Sequence, residues 1–269
     1  MKKKLEVESS AIEWRRRLKT AAVAIPTLIA AISLPEPIFS LTILVAVCLG
    51  YREICNLLNY SLIINYPLIV VLYLLDIHPL TLFCGSLISL FVPLWSRGPF
   101  EGFKIGLVNV LFLQMFAVPM MYGCRLRNIA KHGRTLSIIW LLVSFASDAG
   151  ALTIGSKLGK HKCCPLISPK KTWEGLLGAV LAGVSAGVGL YVIKLDVSGE
   201  MNLLDFVAFG IIESVLGMIG DLIESGFKRF VSAKDASDLL PGHGGLLDRL
   251  DALAASVPVM FYYCKYRGW

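Results

Sequence analysis

Long apolar stretches alternate with short polar ones along almost the whole chain. Runs near 20–34, 37–50, 60–75, 79–95, 105–122, 135–153, 175–193, 203–223 and 250–265 carry few charges. Roughly 20 apolar residues in a helix cross the hydrocarbon core of a bilayer, and a backbone in lipid must satisfy its own N–H and C=O groups. The pattern predicts an all-α fold, a polytopic transmembrane helical bundle of about nine spans. The first two runs are short and flank Leu34-Pro35-Glu36-Pro37. They read either as a tight helical hairpin or as one broken span. Short connections such as Asp76-Ile77-His78-Pro79 suit antiparallel neighbours. No repeat or low-complexity linker divides the chain. One membrane-embedded domain over 20–269 is expected, after a leader at 1–19.

Composition agrees: 56% of residues are hydrophobic and 17% charged, where soluble domains carry about a quarter charged. A cleavable signal peptide passes straight from its basic start to an apolar core. Here Glu6, Glu8 and Glu13 intervene, and Arg15, Arg16, Arg17 and Lys19 precede the first run, so 1–19 reads as a cytoplasmic leader. With that start, the loops at 96–104, 154–174 and 224–249 fall on the cytoplasmic side. The last two are rich in Lys and Arg, as the positive-inside rule requires. The expected location is an integral membrane protein with its chemistry facing the cytoplasm (from the inner membrane, if the source is bacterial). One loop dissents: Arg125, Arg127, Lys131 and Arg134 fall outside by this count. The net charge of +7 suits contact with anionic membrane lipids. Nucleic acid is not an expected partner, because no aromatic-basic stripe accompanies the basic residues. Seven cysteines without a C-x-x-C pair indicate neither zinc nor a disulfide framework.

Against this apolar background, the segment from Ser225 to Asp251 gathers four acidic and four basic residues around Pro241-Gly242-His243-Gly244-Gly245. Charge so placed calls for a polar ligand or a metal. Asp148, Glu213 and Asp221 lie in or at the ends of apolar runs. Asp221 and Ser225 share a helix face, as do Asp248 and Asp251. Asp221 and Asp248 end consecutive helices joined by a polar loop, so both carboxylates can reach one divalent ion. Hard oxygen ligands suit Mg²⁺, which bridges to substrate phosphates. Equally, these acids can pair with Lys228, Arg229 or Arg249 as structural salt bridges.

Lys228, Arg229, Lys234 and Arg249 offer phosphate-binding groups, or anchors for lipid headgroups. The glycines, Gly244 and Gly245 among them, let backbone N–H groups approach an anion. His243 can hydrogen-bond a phosphate, exchange a proton or simply hold the turn. The other polar loop reads Ser168-Pro169-Lys170-Lys171-Thr172-Trp173-Glu174-Gly175. Ser168-Pro169 looks like a helix start, and Thr172 also qualifies as a cap. Lys170 and Lys171 add charge where a helix N-terminus attracts anions. Trp173 reads as an interfacial anchor or as a stacking platform for a base, and Glu174 as a dipole partner. No P-loop, serine-hydrolase elbow or H-E-x-x-H zinc motif occurs.

These two loops resemble the phosphatidate cytidylyltransferases, or CDP-diacylglycerol synthases. That family's signature is Ser-x-apolar-Lys-Arg, four residues, Lys-Asp, then Pro-x-His-Gly-Gly-apolar-x-Asp-Arg-apolar-Asp, and it is met in full from Ser225 to Asp251. Gly220-Asp221 and 168–175 are similar as well, so the likeness covers roughly 145–255, the catalytic half. It departs at Leu152, where the family carries an aromatic, and at Gly155-Ser156-Lys157. The resemblance implies transfer of the cytidylyl group of CTP to phosphatidate, giving CDP-diacylglycerol and pyrophosphate. It implies dependence on Mg²⁺ held by Asp221 and Asp248, with Asp251 beside them and a monovalent cation such as K⁺ joining the metal. It also implies a homodimer. Together with the reading of the two loops, the expected catalytic residues are Asp221, Asp248, Lys228, Arg229, Lys234, His243 and Arg249, and the expected substrate-binding residues are Asp148, Ser168, Lys170, Lys171, Thr172, Ser225, Gly244 and Gly245. Rival readings are a CTP-using lipid kinase, an ether-lipid acceptor, and a transporter. A transporter would line the bilayer midplane with charge, whereas these charges cluster at one face.

Overall fold

The computed structural model describes residues 26–58, 60, 65–74, 79–195, 199–230 and 245–269. Helix α1 is described over 26–33 and is followed by α2 (Glu36–Leu57), α3 (Asn65–Leu74) and α4 (Pro79–Arg97). α5 (Pro99–Phe112) runs through a π-helical turn, Leu113–Ala117, into α6 (Val118–Arg127). Then come α7 (Gly133–Leu158), the strands β1 (Lys162–Cys164) and β2 (Ser168–Thr172), α8 (Trp173–Val192), α9 (Leu203–Phe230) and α10 (Leu247–Tyr266). The leader at 1–19 lies outside the described residues.

Every apolar run meets a helix, yet only five helical segments among the described residues are long and apolar enough to cross a membrane. They are α2, the continuous Pro99–Arg127, α7, α8 and α9. The break at Leu34-Pro35 separates two helices, since a proline disfavours helical geometry in the residue before it. The carbonyls exposed there are taken by Arg127, whose Nε donates to Ile32 O at 2.8 Å and Nη2 to Leu34 O at 3.2 Å. Lys131 pairs with Glu200 at 3.0 Å, and His132 Nε2 lies 2.7 Å from the same carboxylate. The guanidinium of Arg125 sits over the Tyr122 ring at 5.2 Å. Arg125, Arg127, Lys131 and His132 of the basic loop thus all have partners within the protein.

The fold is not purely helical. β1 and β2 form an antiparallel hairpin, with Lys162 opposite Thr172 and Cys164 opposite Ser168. Ser168-Pro169 thus begins a strand rather than a helix. A proline is tolerated there because a two-stranded hairpin is all edge. The helix starts four residues later, where the Thr172 hydroxyl accepts the N–H of Gly175 at 3.1 Å, as an N-cap does.

Small residues set how closely the helices pack, as is usual between membrane helices. A Cβ at Gly150 of α7 would collide with Gly178 O of α8. A Cβ at Gly220 of α9 would collide with Asp251 O of α10. At the end of the bundle holding Glu200, Asn202 and Asp205 cap α9 reciprocally (2.8 and 3.1 Å), a capping-box exchange. Asp205 also holds Arg267 at 2.8 Å and Tyr263 Oη at 2.8 Å, which fastens the end of α10. In the N-terminal half, Ser89, Asn65, Tyr51 and Asn109 form a buried hydrogen-bonded chain through α4, α3, α2 and α5. All seven cysteines are free.

Candidate active site

The polar end of the bundle, opposite Asp205 and Glu200, is built from the hairpin, the C-terminal turns of α9 and the first turns of α10. The cap at Thr172 is buried and fixes where α8 begins. Glu174 in the first turn binds back to the hairpin base: its carboxylate accepts the backbone N–H of His161 at 3.2 Å and lies 2.6 Å from His161 Nδ1. Trp173 is largely exposed. Lys171, immediately before the cap, is thereby aimed across the bundle, and its ammonium makes an ion pair with Asp221 of α9.

α9 presents Asp221, Glu224, Ser225 and Lys228 at helical spacing, so they form one polar stripe. Glu224 is 3% exposed and accepts from Lys228 Nζ at 2.7 Å, a pair almost out of water. From α10, the buried Asp251 accepts the N–H of Ala252 at 2.9 Å. Its carboxyl is within hydrogen-bonding reach of Asp221 and in the field of Glu224. Gly220 makes this possible, because the missing side chain lets α9 lie against the backbone of Asp251. Asp248 stands one turn earlier, in the first turn of α10 and at the same end as Asp221.

The N-terminus of α10 is held from far away in sequence. Glu53 of α2, fully buried, accepts the backbone N–H of Leu246 with Oε1 and of Leu247 with Oε2, both at 2.9 Å. Its charge suits the positive end of a helix. Gly245 just before it is also buried.

The predicted residues divide as follows. Lys171, Asp221, Ser225, Lys228 and Asp251 come together. Arg229 is exposed, with Nε donating to Ile167 O of the hairpin turn at 3.4 Å. Ser168 and Lys170 lie on β2, the lysine exposed and Ser168 half-buried. Asp148 lies exposed on α7, in electrostatic range of Glu213. Lys234, His243 and Gly244 lie outside the described residues, as do the side chains of Asp248 and Arg249. Sequence reasoning missed Glu53 and Glu224. Glu224 was detectable from its spacing, three after Asp221 and four before Lys228. Glu53 stood just past a run read as ending at residue 50, and nothing local linked it to residue 247.

Asp221 and Asp251, close enough to act on each other and with Glu224 in range, make a setting in which a cation is favoured. Two ammonium groups are already engaged there, Lys171 with Asp221 and Lys228 with Glu224. Among the described residues no three His, Cys, Asp or Glu side chains by themselves form a metal-holding group. Asp221 and Asp251 supply two oxygen donors of the kind Mg²⁺ takes, so the described residues fit such an ion as part of its shell.

Residues 15–267 match the sequence model of the cytidylyltransferase family. A phosphatidate cytidylyltransferase of Haemophilus influenzae is 35% identical over 176 residues, 63% of this chain and 59% of that protein. One from Bacillus subtilis is 38% identical over 142 residues, 52% of this chain and 51% of its own length. One from Staphylococcus epidermidis is 41% identical over 123 residues, covering 46% and 44%. The chain thus spans about half the length of the curated relatives it matches.

Proposed function

This chain belongs to the cytidylyltransferase family, and on that premise we propose that it transfers the cytidylyl group of CTP to phosphatidate. The products are CDP-diacylglycerol, for phospholipid biosynthesis, and pyrophosphate. The observation that carries the reading is the meeting of Lys171 with Asp221, beside Asp251, at one end of an apolar bundle. A purely structural bundle has no use for a cationic hairpin docked on paired carboxyl groups. The reaction needs such a place, at the end of an apolar bundle, where a water-soluble nucleotide can meet a lipid phosphate.

In the reaction, a phosphate oxygen of phosphatidate attacks the α-phosphorus of CTP. A new P–O bond forms, the bond between the α-phosphorus and its bridging oxygen breaks, and pyrophosphate leaves with the electron pair. Phosphoryl and nucleotidyl transfers need positioning and charge neutralisation more than covalent help. Lys171, Lys228 and Arg229 are the described cations at hand to neutralise phosphate oxygens, with Lys234 and Arg249 as further candidates from the signature. A phosphate monoester has its second pKa near 6, so the nucleophile is already an anion and a dedicated general base is unnecessary. His243 is better used as a donor to phosphate.

Asp221, Asp248 and Asp251 would hold Mg²⁺, with K⁺ as the accompanying monovalent ion the family resemblance implies. When bound, the divalent ion supplies positive charge to the triphosphate. Lys171 then serves twice. Its ammonium holds Asp221 in place, and it is free to turn toward substrate phosphate once another cation takes that carboxylate. About nine crossings, a cytoplasmic active site and a homodimer complete the proposal.

The direct test is purified protein with CTP, phosphatidate and Mg²⁺, assayed for pyrophosphate and a cytidylated lipid, with EDTA as control. Pyrophosphate release without cytidylated lipid would contradict the reading.

A further inference from the structure

Glu213 stands apart from this centre. It lies on α9 about two turns before Asp221, in the depth of the bundle. It is 1% exposed, and neither carboxylate oxygen has a hydrogen-bond partner. A carboxylate buried so deeply needs a donor, a proton or a cation.

The neighbouring groups narrow the choice. Ser144 of α7 and Ser256 of α10 flank the carboxylate, and Asp148 of α7 adds a negative charge within range. The Ser256 hydroxyl is already shared: it donates to Leu253 O at 3.2 Å and accepts from Trp140 Nε1 at 3.0 Å. Two hydroxyl oxygens and a carboxylate therefore gather here, with a second carboxylate nearby. Oxygen donors of this kind suit a hard cation. Among the described residues no three acidic or imidazole groups gather here to call for a divalent one.

We propose that Glu213, Ser144 and Ser256 bind a desolvated alkali-metal ion, Na⁺ or K⁺, which pins α7, α9 and α10 together beneath the acidic centre. The three helices that meet at this point carry Asp148, Asp221 and Asp251. The ion braces the scaffold of the site without touching substrate. Its role is independent of the reaction assigned above.

Full-length protein in detergent is unfolded thermally in choline chloride, and choline is then replaced stepwise by Na⁺ or K⁺ at constant ionic strength. The midpoint rises saturably, by about 5 °C at roughly a hundredfold excess over Kd. Asp221→Asn shows the same rise, which separates this ion from any held at the acidic centre. Glu213→Gln shows none, and Ser256→Ala needs at least about tenfold more ion for half the effect. A wild-type midpoint indifferent to alkali ions overturns the proposal and assigns a proton to Glu213. So does an undiminished rise in Glu213→Gln, or a rise lost in Asp221→Asn. Should Glu213→Gln fail to fold, an unaltered half-saturation point in Ser256→Ala is equally decisive against it.

Discussion

The carboxylate of Glu53 accepts the backbone N–H of Leu247 at 2.9 Å across 194 positions of sequence. With the matching bond to Leu246, it makes the N-terminal half of the chain a support for the helix that carries Asp248 and Asp251. Charge-assisted hydrogen bonds of this type contribute about 1.5–3 kcal/mol each. Glu53→Ala takes the acceptor from one buried and one part-buried N–H group, and is expected to lower the unfolding midpoint and remove most of the activity together. Glu53→Gln keeps one good acceptor and should fall between. Thermal unfolding in detergent, run beside the transfer assay, checks both.

Close approach of α9 and α10 at Gly220 is the second requirement. Gly220→Ala puts a methyl group into Asp251 O and Ala255 Cβ, and overpacking of this sort costs about 1–3 kcal/mol. Gly226→Ala is the control, because its new Cβ would meet Ile167 Cγ2 at an ordinary 3.7 Å. Activity should drop in the first variant and survive in the second, with both proteins still inserted in the membrane. Equal activities would show that the spacing of these helices is irrelevant to the site.

Lys171 and Asp221 should fail for different reasons. Asp221→Asn removes a candidate metal ligand and is expected to lower turnover at least about 100-fold while folding is retained. Lys171→Met removes the charge proposed to neutralise substrate phosphate and leaves Asp221 without its ion pair. It should lower turnover and also shift the Mg²⁺ concentration giving half activity, because on this proposal the ammonium and the metal share one carboxylate. A Lys171→Met enzyme with wild-type turnover and wild-type Mg²⁺ dependence contradicts the role of the hairpin.

How much of this was legible beforehand depended on whether the signal was local. Each helix announced itself through an apolar run, because lipid leaves the backbone few alternatives. Asp221, Lys228 and Asp251 were legible because charged groups at helical spacing stand out against such a background. The hairpin was not. Ser168-Pro169 has the composition of a helix start, and only pairing with Lys162–Cys164 makes it a strand. Glu53 was invisible for a similar reason: its partners are backbone groups of a helix nearly two hundred residues away. In the basic loop at 125–134, Arg127 binds Ile32 O and Leu34 O and Lys131 binds Glu200, partners that no local pattern announced.

At the other end of the bundle, Glu200 gives a pH test. His132, and after it Lys131, hold its carboxyl below the ordinary carboxylate range. A folded pKa depressed in this way contributes stability that is fully present above the unfolded value and is lost as pH falls through the folded one. Glu200→Gln should therefore lower the unfolding midpoint at neutral pH, and the gap from wild type should close in acid, below the folded pKa. A gap that is constant with pH would show that the ion pair contributes nothing beyond packing.

The position at which CTP is cleaved tests the assignment most directly. Purified protein is given phosphatidate, Mg²⁺ and CTP labelled at either the α- or the γ-phosphate. α-Label is expected in the lipid fraction and γ-label in released pyrophosphate, with both signals lost in Asp221→Asn. γ-Label in the lipid, with CDP released, would make the protein a lipid kinase and contradict the assignment.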